Sequence, residues 1–529
     1  MARTAPQAGG RAAPAGSSIM TQAELIHQTL HTLAYLGVRE VCVAAGARNA
    51  PLVSALMASS GVKIWNFFEE RSAAFFALGR IMAERQPVAV LTTSGTAAAE
   101  LLPATIEAHY QNLPLVLVTA DRPKSYRGSG APQAIEQMGL FGVYATIVGD
   151  WDATDESHEG HCSDGPMHLN VCLDEPLDTN VAGVDFASAP AMAVPEAAQP
   201  CSLHCDLVLA AGMHPEDAAA AARLLAALGA PIIAEATANL HGFPELRSLL
   251  IPGGERALQS ARPAHVLRIG AVPSWRWWRD LEEQTKIKVT HITRTGFSGL
   301  ARRENVETLP WDHIHSTQFS LVDPPCGILR FEPDLEKFPE SEPGWVRRIA
   351  NIIPERSRVF LGNSLPIREF NLALQTTKPG VHFFANRGAN GIDGLVSTFL
   401  GTSAMHDGEC WLILGDLSAL YDLAAPWIIA QMDHPRLRIV VINNGGGKIF
   451  SRVASTRNLP EAARNVIENR HSLSFEPWAQ LWGMEYLLTD DVNDLADLLP
   501  MPMVIEIRPD PLQTEGFWKD WQRPVIRPR

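Results

Sequence analysis

The sequence contains few cysteines, and their number is odd. Seven cysteines are scattered over 529 residues, which argues against the framework of paired disulfides that stabilises small secreted domains. Scattered, unpaired thiols are typical of proteins kept in a reducing compartment. We therefore predict a cytoplasmic protein.

Long apolar runs and basic patches are also missing. No apolar stretch approaches the ~18 residues that suggest a membrane-spanning helix. The chain has 44 basic and 58 acidic residues, a net charge of −14, without a long run of Lys or Arg. This balance disfavours sequence-independent binding to nucleic acid or to an anionic membrane. We expect neither a nucleic-acid partner nor an integral membrane segment.

The length and the order of the apolar segments predict several α/β units. A chain of this length corresponds to about three or four domains, and its hydrophobic fraction of 46% is that of an ordinary globular protein. Strands that are apolar throughout and alternate with helices indicate parallel sheets covered on both faces. We predict an α/β fold of three doubly wound parallel-sheet domains, divided as 1–19 (disordered tail, or alternatively an organelle transit peptide), 20–182, 183–200 (linker), 201–325, 326–344 (linker) and 345–529.

Individual elements follow from the same patterns. Thr21 and Glu24 have the spacing of a capping box at the start of a helix. Further helices are predicted over 71–84 and 97–111. The predicted strands are 40–45, 62–67, 87–93, 114–120, 206–212, 230–236, 265–270, 287–292, 358–361, 381–385, 411–414 and 437–442.

Polar residues follow two apolar strands of the third block. Gly415-Asp416 ends one strand and Asn443-Asn444 ends another. The carboxyl ends of parallel strands are where such sheets bind ligands. The Asp416 carboxylate, the Asn444 amide oxygen and the carbonyl of Gly446 are hard oxygen ligands that suit Mg²⁺ beside a diphosphate. Gly-Asp and Asn-Gly pairs are also common turn residues, so either pair alone could be an ordinary strand-to-helix turn.

Several segments together resemble a known family. The pairs Gly415-Asp416 and Asn443-Asn444 are similar, in their residues and in their spacing, to the diphosphate and metal motif of thiamine-diphosphate enzymes. The segments GDLSALYDL (415–423), NRGANGIDG (386–394), GNSLPIR (362–368), TSGTAAAELLPA (93–104), TADRP (119–123) and GPMHLNV (165–171) resemble the 2-succinyl-5-enolpyruvyl-6-hydroxy-3-cyclohexene-1-carboxylate synthases of menaquinone biosynthesis. The resemblance implies Pyr, central and PP domains in this order, and a homodimer or homotetramer with active sites between subunits.

The resemblance also implies a coenzyme site. Phe68-Glu69-Glu70-Arg71 stands where the family has Asp-Glu-Arg, so Glu70 matches the catalytic glutamate that bonds the coenzyme pyrimidine. The alternative is that this acidic pair simply begins a solvated helix. The metal, Mg²⁺ or Mn²⁺, would be held by Asp416, Asn444 and Gly446. The implied coenzyme-binding residues are Glu70, Ile392, Gly415, Asp416, Leu417, Ser418, Asn444, Gly446, Ile449 and Phe450.

The implied substrates are the dicarboxylates 2-oxoglutarate and isochorismate. The activity would be a carboligase-type transfer: decarboxylation of 2-oxoglutarate, followed by conjugate addition of the remaining succinyl carbanion to isochorismate. Arginine suits carboxylates because its guanidinium forms bidentate pairs. The implied substrate-binding residues are Arg48, Gln133, Arg276, Ser364, Arg368 and Arg387. For any single arginine, a surface ion pair is the competing interpretation.

Some positions depart from the family pattern. Ala47 stands where the family has a serine, Gly445 replaces an acid or Asn, and Lys448 adds a charge to a loop that is normally neutral. Two rival functions stay open at this point. One is another thiamine-diphosphate carboligase or decarboxylase, such as an acetolactate-synthase-like enzyme. The other is a non-catalytic relative that only binds a ligand.

Overall fold

The fold is known from a computed structural model. It describes residues 20–153, 164–188, 203, 205–303, 306–315, 325–433, 436–453, 455–456, 458–496 and 498–523. The predicted tail 1–19 and residues 189–200 of the predicted first linker lie outside the described residues.

The first sheet has six parallel strands in the order β2-β1-β3-β4-β6-β5. Its helices begin where the sequence provides start residues. Thr21 caps α1 with both bonds of the capping box, and Pro103 occupies the first turn of α5, where a missing N–H is tolerated. The elements are α1 (Gln22–Tyr35), β1 (Glu40–Ala44), α2 (Ala50–Met57), β2 (Lys63–Phe67), α3 (Glu70–Glu84), β3 (Val88–Thr92), α4 (Thr96–Ala99), α5 (Leu102–Gln111), β4 (Leu115–Asp121), β5 (Thr146–Asp152) and β6 (Met167–Cys172).

The second sheet has five parallel strands in the order β11-β10-β9-β7-β8. It forms the smallest of the three units. The elements are β7 (Leu207–Ala210), α6 (Pro215–Leu228), β8 (Ile232–Ala234), α7 (Gly254–Ser260), β9 (His265–Ile269), α8 (Arg276–Asp280), β10 (Lys288–Ile292) and β11 (Val306–Leu309).

The third sheet has six parallel strands in the order β13-β12-β14-β15-β17-β16. The elements are α9 (Glu342–Ile352), β12 (Arg358–Leu361), α10 (Leu365–Ala373), β13 (His382–Phe384), α11 (Leu395–Ser403), β14 (Cys410–Gly415), α12 (Asp416–Tyr421), β15 (Leu437–Ile442), α13 (Glu461–Glu468), α14 (Glu476–Leu481), β16 (Glu485–Thr489), β17 (Met503–Ile507) and α15 (Pro511–Trp521). The prediction of three α/β units with parallel sheets is confirmed.

The element predictions differ from the structure in three respects. The predicted helix 97–111 is two helices, α4 and α5, separated by Glu100 and Leu101. Helix α9 begins at Glu342, inside the segment assigned to the second linker, because Ser341 caps it there. The sequence patterns also missed strands β5, β6, β11, β16 and β17.

Close helix packing joins the first unit to the third. Helices α3 and α11 cross at glycines: a Cβ added to Gly79 would lie 2.0 Å from the Thr398 carbonyl oxygen, and one added to Gly401 would lie 2.1 Å from that of Phe76. One buried apolar cluster contains residues of both units, from Trp65 on β2 to Val504 on β17. The position of helix α3 is therefore fixed against the third sheet.

No helix among the described residues has the length and apolar character needed to cross a membrane.

Candidate active site

Four loops meet at one edge of the third sheet, the edge formed by the carboxyl ends of its strands. They follow the carboxyl ends of the adjacent strands β13, β12, β14 and β15. After β12, the chain forms β13 on one side of β12 and then β14 on the other side. A topological switch point therefore lies between β12 and β14. Ligands of open α/β sheets bind in the crevice at such a point. The loops place, in this order across the edge, Arg387, Ser364 with Arg368, Asp416, and Asn444.

Asp416 is buried at the start of helix α12, and its carboxylate accepts three backbone N–H groups. Oδ2 accepts from Gly445 and Gly446 at 2.8 and 2.9 Å, and Oδ1 accepts from Leu417 at 2.6 Å. His471 Nε2 lies 3.4 Å from Oδ2. Burial raises the pKa of Asp416, although these N–H groups and His471 oppose the shift. Among the described residues, Oδ1 accepts only the N–H of Leu417, so it has room for a further ligand.

Asn444 presents a free carbonyl oxygen to the same edge. Its Nδ2 donates to both carboxylate oxygens of Glu342, at 3.2 and 3.1 Å. This fixes the amide with the nitrogen toward Glu342. Its Oδ1 is inaccessible to solvent and has no hydrogen-bond partner among the described residues. A buried acceptor without a donor is costly, and a cation would satisfy it.

Position 446, after this turn, has a backbone conformation and surroundings that require glycine. Gly446 has φ +132°, and a Cβ there would lie 2.5 Å from the Glu468 carbonyl oxygen. Larger residues are therefore disfavoured both by this φ and by the closely packed Glu468 segment. The oxygens of Asp416 and Asn444, on neighbouring loops, fit the ligand set expected for Mg²⁺. Leu417 and the buried Ser418 follow on α12, and Gly415 has open space where a side chain would stand.

Two further glutamates lie behind this edge. Burial raises the pKa of Glu342 to about 7, and the nearby Asp416 charge adds to the rise. Glu369 on α10 is fully buried, and in the part of the chain that the structure describes neither of its carboxylate oxygens has a hydrogen-bond partner. Burial and the Glu342 charge raise its pKa well above the ordinary value. The surroundings of Asn444 are thus rich in carboxyl groups.

Two consecutive residues, Ser364 and Asn363, accept hydrogen bonds from Arg368 and Arg387 respectively. Arg387 Nη1 donates to Asn363 Oδ1 at 2.9 Å, and Arg368 Nη1 donates to the Ser364 carbonyl at 3.0 Å. Asn363 also donates to the carbonyls of Asn386 and Gly391 at 2.8 and 2.7 Å, which ties the two loops together. Partial burial, and then the charge of Arg387, lowers the pKa of Arg368. In the described part of the chain, neither arginine forms an ion pair with a carboxylate.

Glu70 is the first residue of helix α3, after edge strand β2 of the first sheet. Glu69 caps this helix and accepts the N–H groups of Arg71 and Ser72 at 3.1 and 2.9 Å. The Glu70 carboxyl is therefore not used for capping. Burial raises its pKa, and the charges of Glu69 and Glu100 add to the rise. Such a carboxyl retains a proton more readily than an exposed one.

Comparison with known proteins identifies the family. Residues 20–140 match the model described as thiamine pyrophosphate enzyme, N-terminal TPP binding domain. The 2-succinyl-5-enolpyruvyl-6-hydroxy-3-cyclohexene-1-carboxylate synthase of Bdellovibrio bacteriovorus is 39% identical over 95% of this chain and 99% of its own. The synthase of Akkermansia muciniphila is 40% identical over 90% of this chain and 95% of its own. The chain belongs to this synthase family.

A solved structure shares the fold. The thiamine diphosphate-dependent 4-hydroxybenzoylformate decarboxylase of Rhodococcus jostii RHA1 aligns with a TM-score of 0.66 and 16% identity, over 92% of this chain and 99% of that chain. The resemblance inferred from the sequence is confirmed. As a member of the synthase family, the chain is a thiamine-diphosphate-dependent transferase.

The other residues assigned to the substrates from the family resemblance make contacts elsewhere or are exposed. Arg48 is buried and donates to the Leu173 carbonyl at 2.9 Å and to Glu175 at 3.3 Å. Gln133 has an exposed side chain and φ +57°. The Arg276 side chain is 74% exposed and lies 3.6 Å from Asp280, and no described contact joins it to Arg368 or Arg387.

The apolar residues assigned to the coenzyme flank the edge. Ile392 is half-buried in the loop before α11, and Ile449 and Phe450 lie in a short 3₁₀ turn after the Asn444 loop. The unusual Lys448 in that turn forms an ion pair with the buried Glu468 at 3.1 Å. Its charge is therefore neutralised within the protein. Gly445, the other departure in this turn, has φ +77° and donates to Asp416.

Sequence reasoning missed several polar residues of the site. Asn363 lies in the quoted segment GNSLPIR, where its position beside Ser364 was an available indication. Glu342 and His471 have no local pattern that points to the site, since Glu342 lies 102 residues before Asn444. Arg279, three residues after Arg276, is the α8 arginine whose charge lowers the pKa of Arg368.

Proposed function

We propose that this synthase decarboxylates 2-oxoglutarate with thiamine diphosphate and transfers the remaining four-carbon unit to isochorismate by conjugate addition. The product would be 2-succinyl-5-enolpyruvyl-6-hydroxy-3-cyclohexene-1-carboxylate, for menaquinone biosynthesis. The observation that carries the proposal is the pair Arg368 and Arg387, without carboxylate partners at the switch point. Two neighbouring guanidinium groups suit a substrate with two carboxylates, whereas a monocarboxylate such as pyruvate needs only one.

Mg²⁺ or Mn²⁺ would be held by Asp416, Asn444 and the carbonyl of Gly446. The free Asn444 Oδ1 supports this assignment, because an oxygen acceptor without a donor is a natural ligand for a hard cation. Glu342 would keep that oxygen turned toward the metal. The diphosphate would then lie beside Gly415, Leu417 and Ser418, as proposed from the family pattern.

Thiamine diphosphate, when bound, would accept the electrons released by decarboxylation. The task of Glu70 would be to hold a proton at the pyrimidine nitrogen. Its raised pKa supports this role, because a carboxyl group must carry a proton to donate one. Ile392, Ile449 and Phe450 would enclose the coenzyme with apolar surface and exclude water.

The remaining substrate contacts would come from Arg48, Gln133, Arg276 and Ser364. Substrate binding by Arg276 would require it to leave Asp280, an exposed pair of little energetic value. The domain division into a Pyr domain (20–182), a central domain (201–325) and a PP domain (345–529), with linkers at 183–200 and 326–344, belongs to the same proposal.

The enzyme would act as a homodimer or homotetramer in the cytoplasm. Within one chain, Arg71 beside Glu70 donates to the carbonyl of Tyr421, at the opposite end of α12 from Asp416. The family pattern adds that the Glu70 and the Asp416 of one active site would come from different subunits. The five described cysteines are all free, which suits a reducing compartment. Analytical ultracentrifugation of the holoenzyme tests the assembly, and an active monomer would contradict it.

The arginine pair provides the test of function. Arg368→Ala and Arg387→Ala should each lower kcat/KM about ten- to a hundredfold, because hydrogen bonds to charged groups contribute about 1.5–3 kcal/mol each. Coenzyme affinity should change little. Arg387→Lys should recover only part of the loss, since lysine lacks the planar fork.

Arg262→Ala is the matched control. Like Arg368, this exposed arginine donates to nearby backbone carbonyls, those of Gln259 and Ala261, and its loss should leave the kinetics unchanged. Turnover of 2-oxoglutarate is measured with and without isochorismate. Wild-type kinetics in both site variants would refute the dicarboxylate pocket and favour an acetolactate-like activity.

A further inference from the structure

The loop that carries Arg387 is anchored on another domain. Glu107, on helix α5 of the first unit, is buried, and its two carboxylate oxygens accept different backbone groups of the loop. Oε1 accepts from Gly388 N–H at 2.6 Å and Oε2 accepts from Ala389 N–H at 2.7 Å. Gln111 Nε2 donates to Oε1 at 2.6 Å and fixes the carboxyl from the other side. The contact joins residues 281 positions apart in the sequence.

The close approach depends on glycine at position 388. A Cβ added to Gly388 would lie 2.5 Å from the Glu107 carbonyl oxygen and 3.1 Å from Oε1. The backbone of the loop therefore reaches the helix only because residue 388 has no side chain.

A cleft lies beside this contact. It has a volume of about 250 Å³ and is lined by Leu102 and Ile106 of α5 and by Ala389 and Gly391 of the loop. Next to this cleft, the hydrogen bonds of Glu107 link α5 directly to the loop backbone.

The anchored loop leads directly to the arginine pair. Arg387 precedes the two anchored residues, and its guanidinium is aimed by the bond to Asn363. Because Asn363 also bonds the loop carbonyls of Asn386 and Gly391, a shift of the loop would move Arg387 and its aiming residue together. We propose that Glu107 is a positioning residue that sets the place of Arg387 for substrate binding. The proposal rests on the proposed role of Arg387.

The first test is the nearly isosteric variant Glu107→Gln. A glutamine has one carbonyl oxygen, so its NH₂ group must face one of the two loop N–H groups. Hydrogen–deuterium exchange of the holoenzyme should then show faster exchange of the 386–391 segment than in the wild type. Glu40→Gln is the matched control, since Glu40 is a carboxylate of the first unit that pairs with the buried Arg80 at 2.8 Å. It should leave exchange in 386–391 unchanged.

The decisive test is a double-mutant cycle on kcat/KM. Glu107→Gln should lower kcat/KM about tenfold in the wild type but less than about twofold in an Arg387→Ala background, because the arginine that Glu107 positions is then absent. Coenzyme affinity should stay within about threefold. A fully multiplicative effect in the double variant, or wild-type exchange and kinetics in Glu107→Gln, would overturn the proposal. Wild-type kinetics of Arg387→Ala alone would instead refute the substrate role of Arg387, and the positioning role with it.

Discussion

Replacement of Asp416 by asparagine separates the metal role of this residue from its structural role. The side chain keeps its shape but loses its charge. Asp416 accepts three backbone N–H groups at 2.6, 2.8 and 2.9 Å, whereas an asparagine has one carbonyl oxygen. If that oxygen takes the N–H groups of Gly445 and Gly446, the NH₂ group faces the N–H of Leu417. At least one charge-assisted bond is lost, at a cost of about 1.5–3 kcal/mol.

Metal binding should suffer more than stability. The Asp416 carboxylate is the one charged protein ligand in the proposed set, and a neutral amide would leave the metal and diphosphate with weaker compensation. We expect the metal-dependent affinity for thiamine diphosphate to fall at least a hundredfold, or about 2.7 kcal/mol. Calorimetric titration of the coenzyme at fixed Mg²⁺, and again at fixed Mn²⁺, measures this loss. Thermal unfolding measures the structural cost in the same samples.

Asp422→Asn is the control for this experiment. Asp422 follows the end of the same helix, is fully buried, and accepts the N–H of Ser397 at 2.7 Å. Its replacement should destabilise the protein to a similar degree but leave the metal dependence of coenzyme binding intact. Unchanged metal-dependent affinity in Asp416→Asn would refute the metal site. An equal loss in both variants would show that general destabilisation, and not ligand loss, is responsible.

Three further outcomes follow from the structure. Glu70→Gln should abolish turnover and slow exchange of the C2 proton of bound coenzyme, with coenzyme affinity within about tenfold; unchanged exchange would contradict the assignment. Gly79→Ala should lower the free energy of unfolding by about 1–3 kcal/mol or more, because the added methyl group would overlap the Thr398 carbonyl. The control is Gly296→Ala, since a Cβ at Gly296 would have no described heavy atom within 4 Å. Denaturant titration measures both variants, and equal unfolding midpoints would count against the packing argument. Burial lowers the pKa of His168 to about 4, so between pH 6.5 and pH 4 the unfolded chain binds the extra proton and stability falls as pH falls. His168→Gln should reduce the fall in unfolding free energy between pH 7.5 and pH 5 by up to about 2 kcal/mol, because pH 5 lies about 1.5 units below the ordinary histidine pKa and one unit corresponds to about 1.4 kcal/mol. Unfolding free energies of both proteins at both pH values measure this, and an equal fall in the variant and the wild type would rule it out.

Local sequence determined the elements near the site. The apolar strands that end in Gly415 and Ile442 and the polar turns after them are written in consecutive residues, so strand, turn and candidate ligand could be predicted together. The capping box of Thr21 and Glu24 is equally local, and both of its bonds are present. The family resemblance rests on segments of this kind. It identified the coenzyme and the chemistry because those motifs are contiguous.

Three of the five missed strands have irregular or exposed sequences, whereas β6 and β17 are buried throughout. Strand β5 contains a register shift at Gly149 and alternates poorly, and β11 (Val306–Leu309) and β16 (Glu485–Thr489) are partly exposed strands at sheet edges. Edge strands bury only part of their surface, so their sequences lack the continuous apolar run that marks a central parallel strand. The three segments β5, β11 and β16 are strands because each pairs with a neighbouring strand.

Only the tertiary structure decided how the site is held together. The placement of β12 beside β14 brings the loops of Arg368 and Asp416 to one switch point. Glu342 orients Asn444 from helix α9, and Glu107 of the first unit accepts hydrogen bonds from the loop of Arg387 in the third unit. These contacts join residues 102 and 281 positions apart. A buried carboxylate is stable there only because particular N–H groups reach it, and which groups reach it is set by the packing of whole helices and sheets.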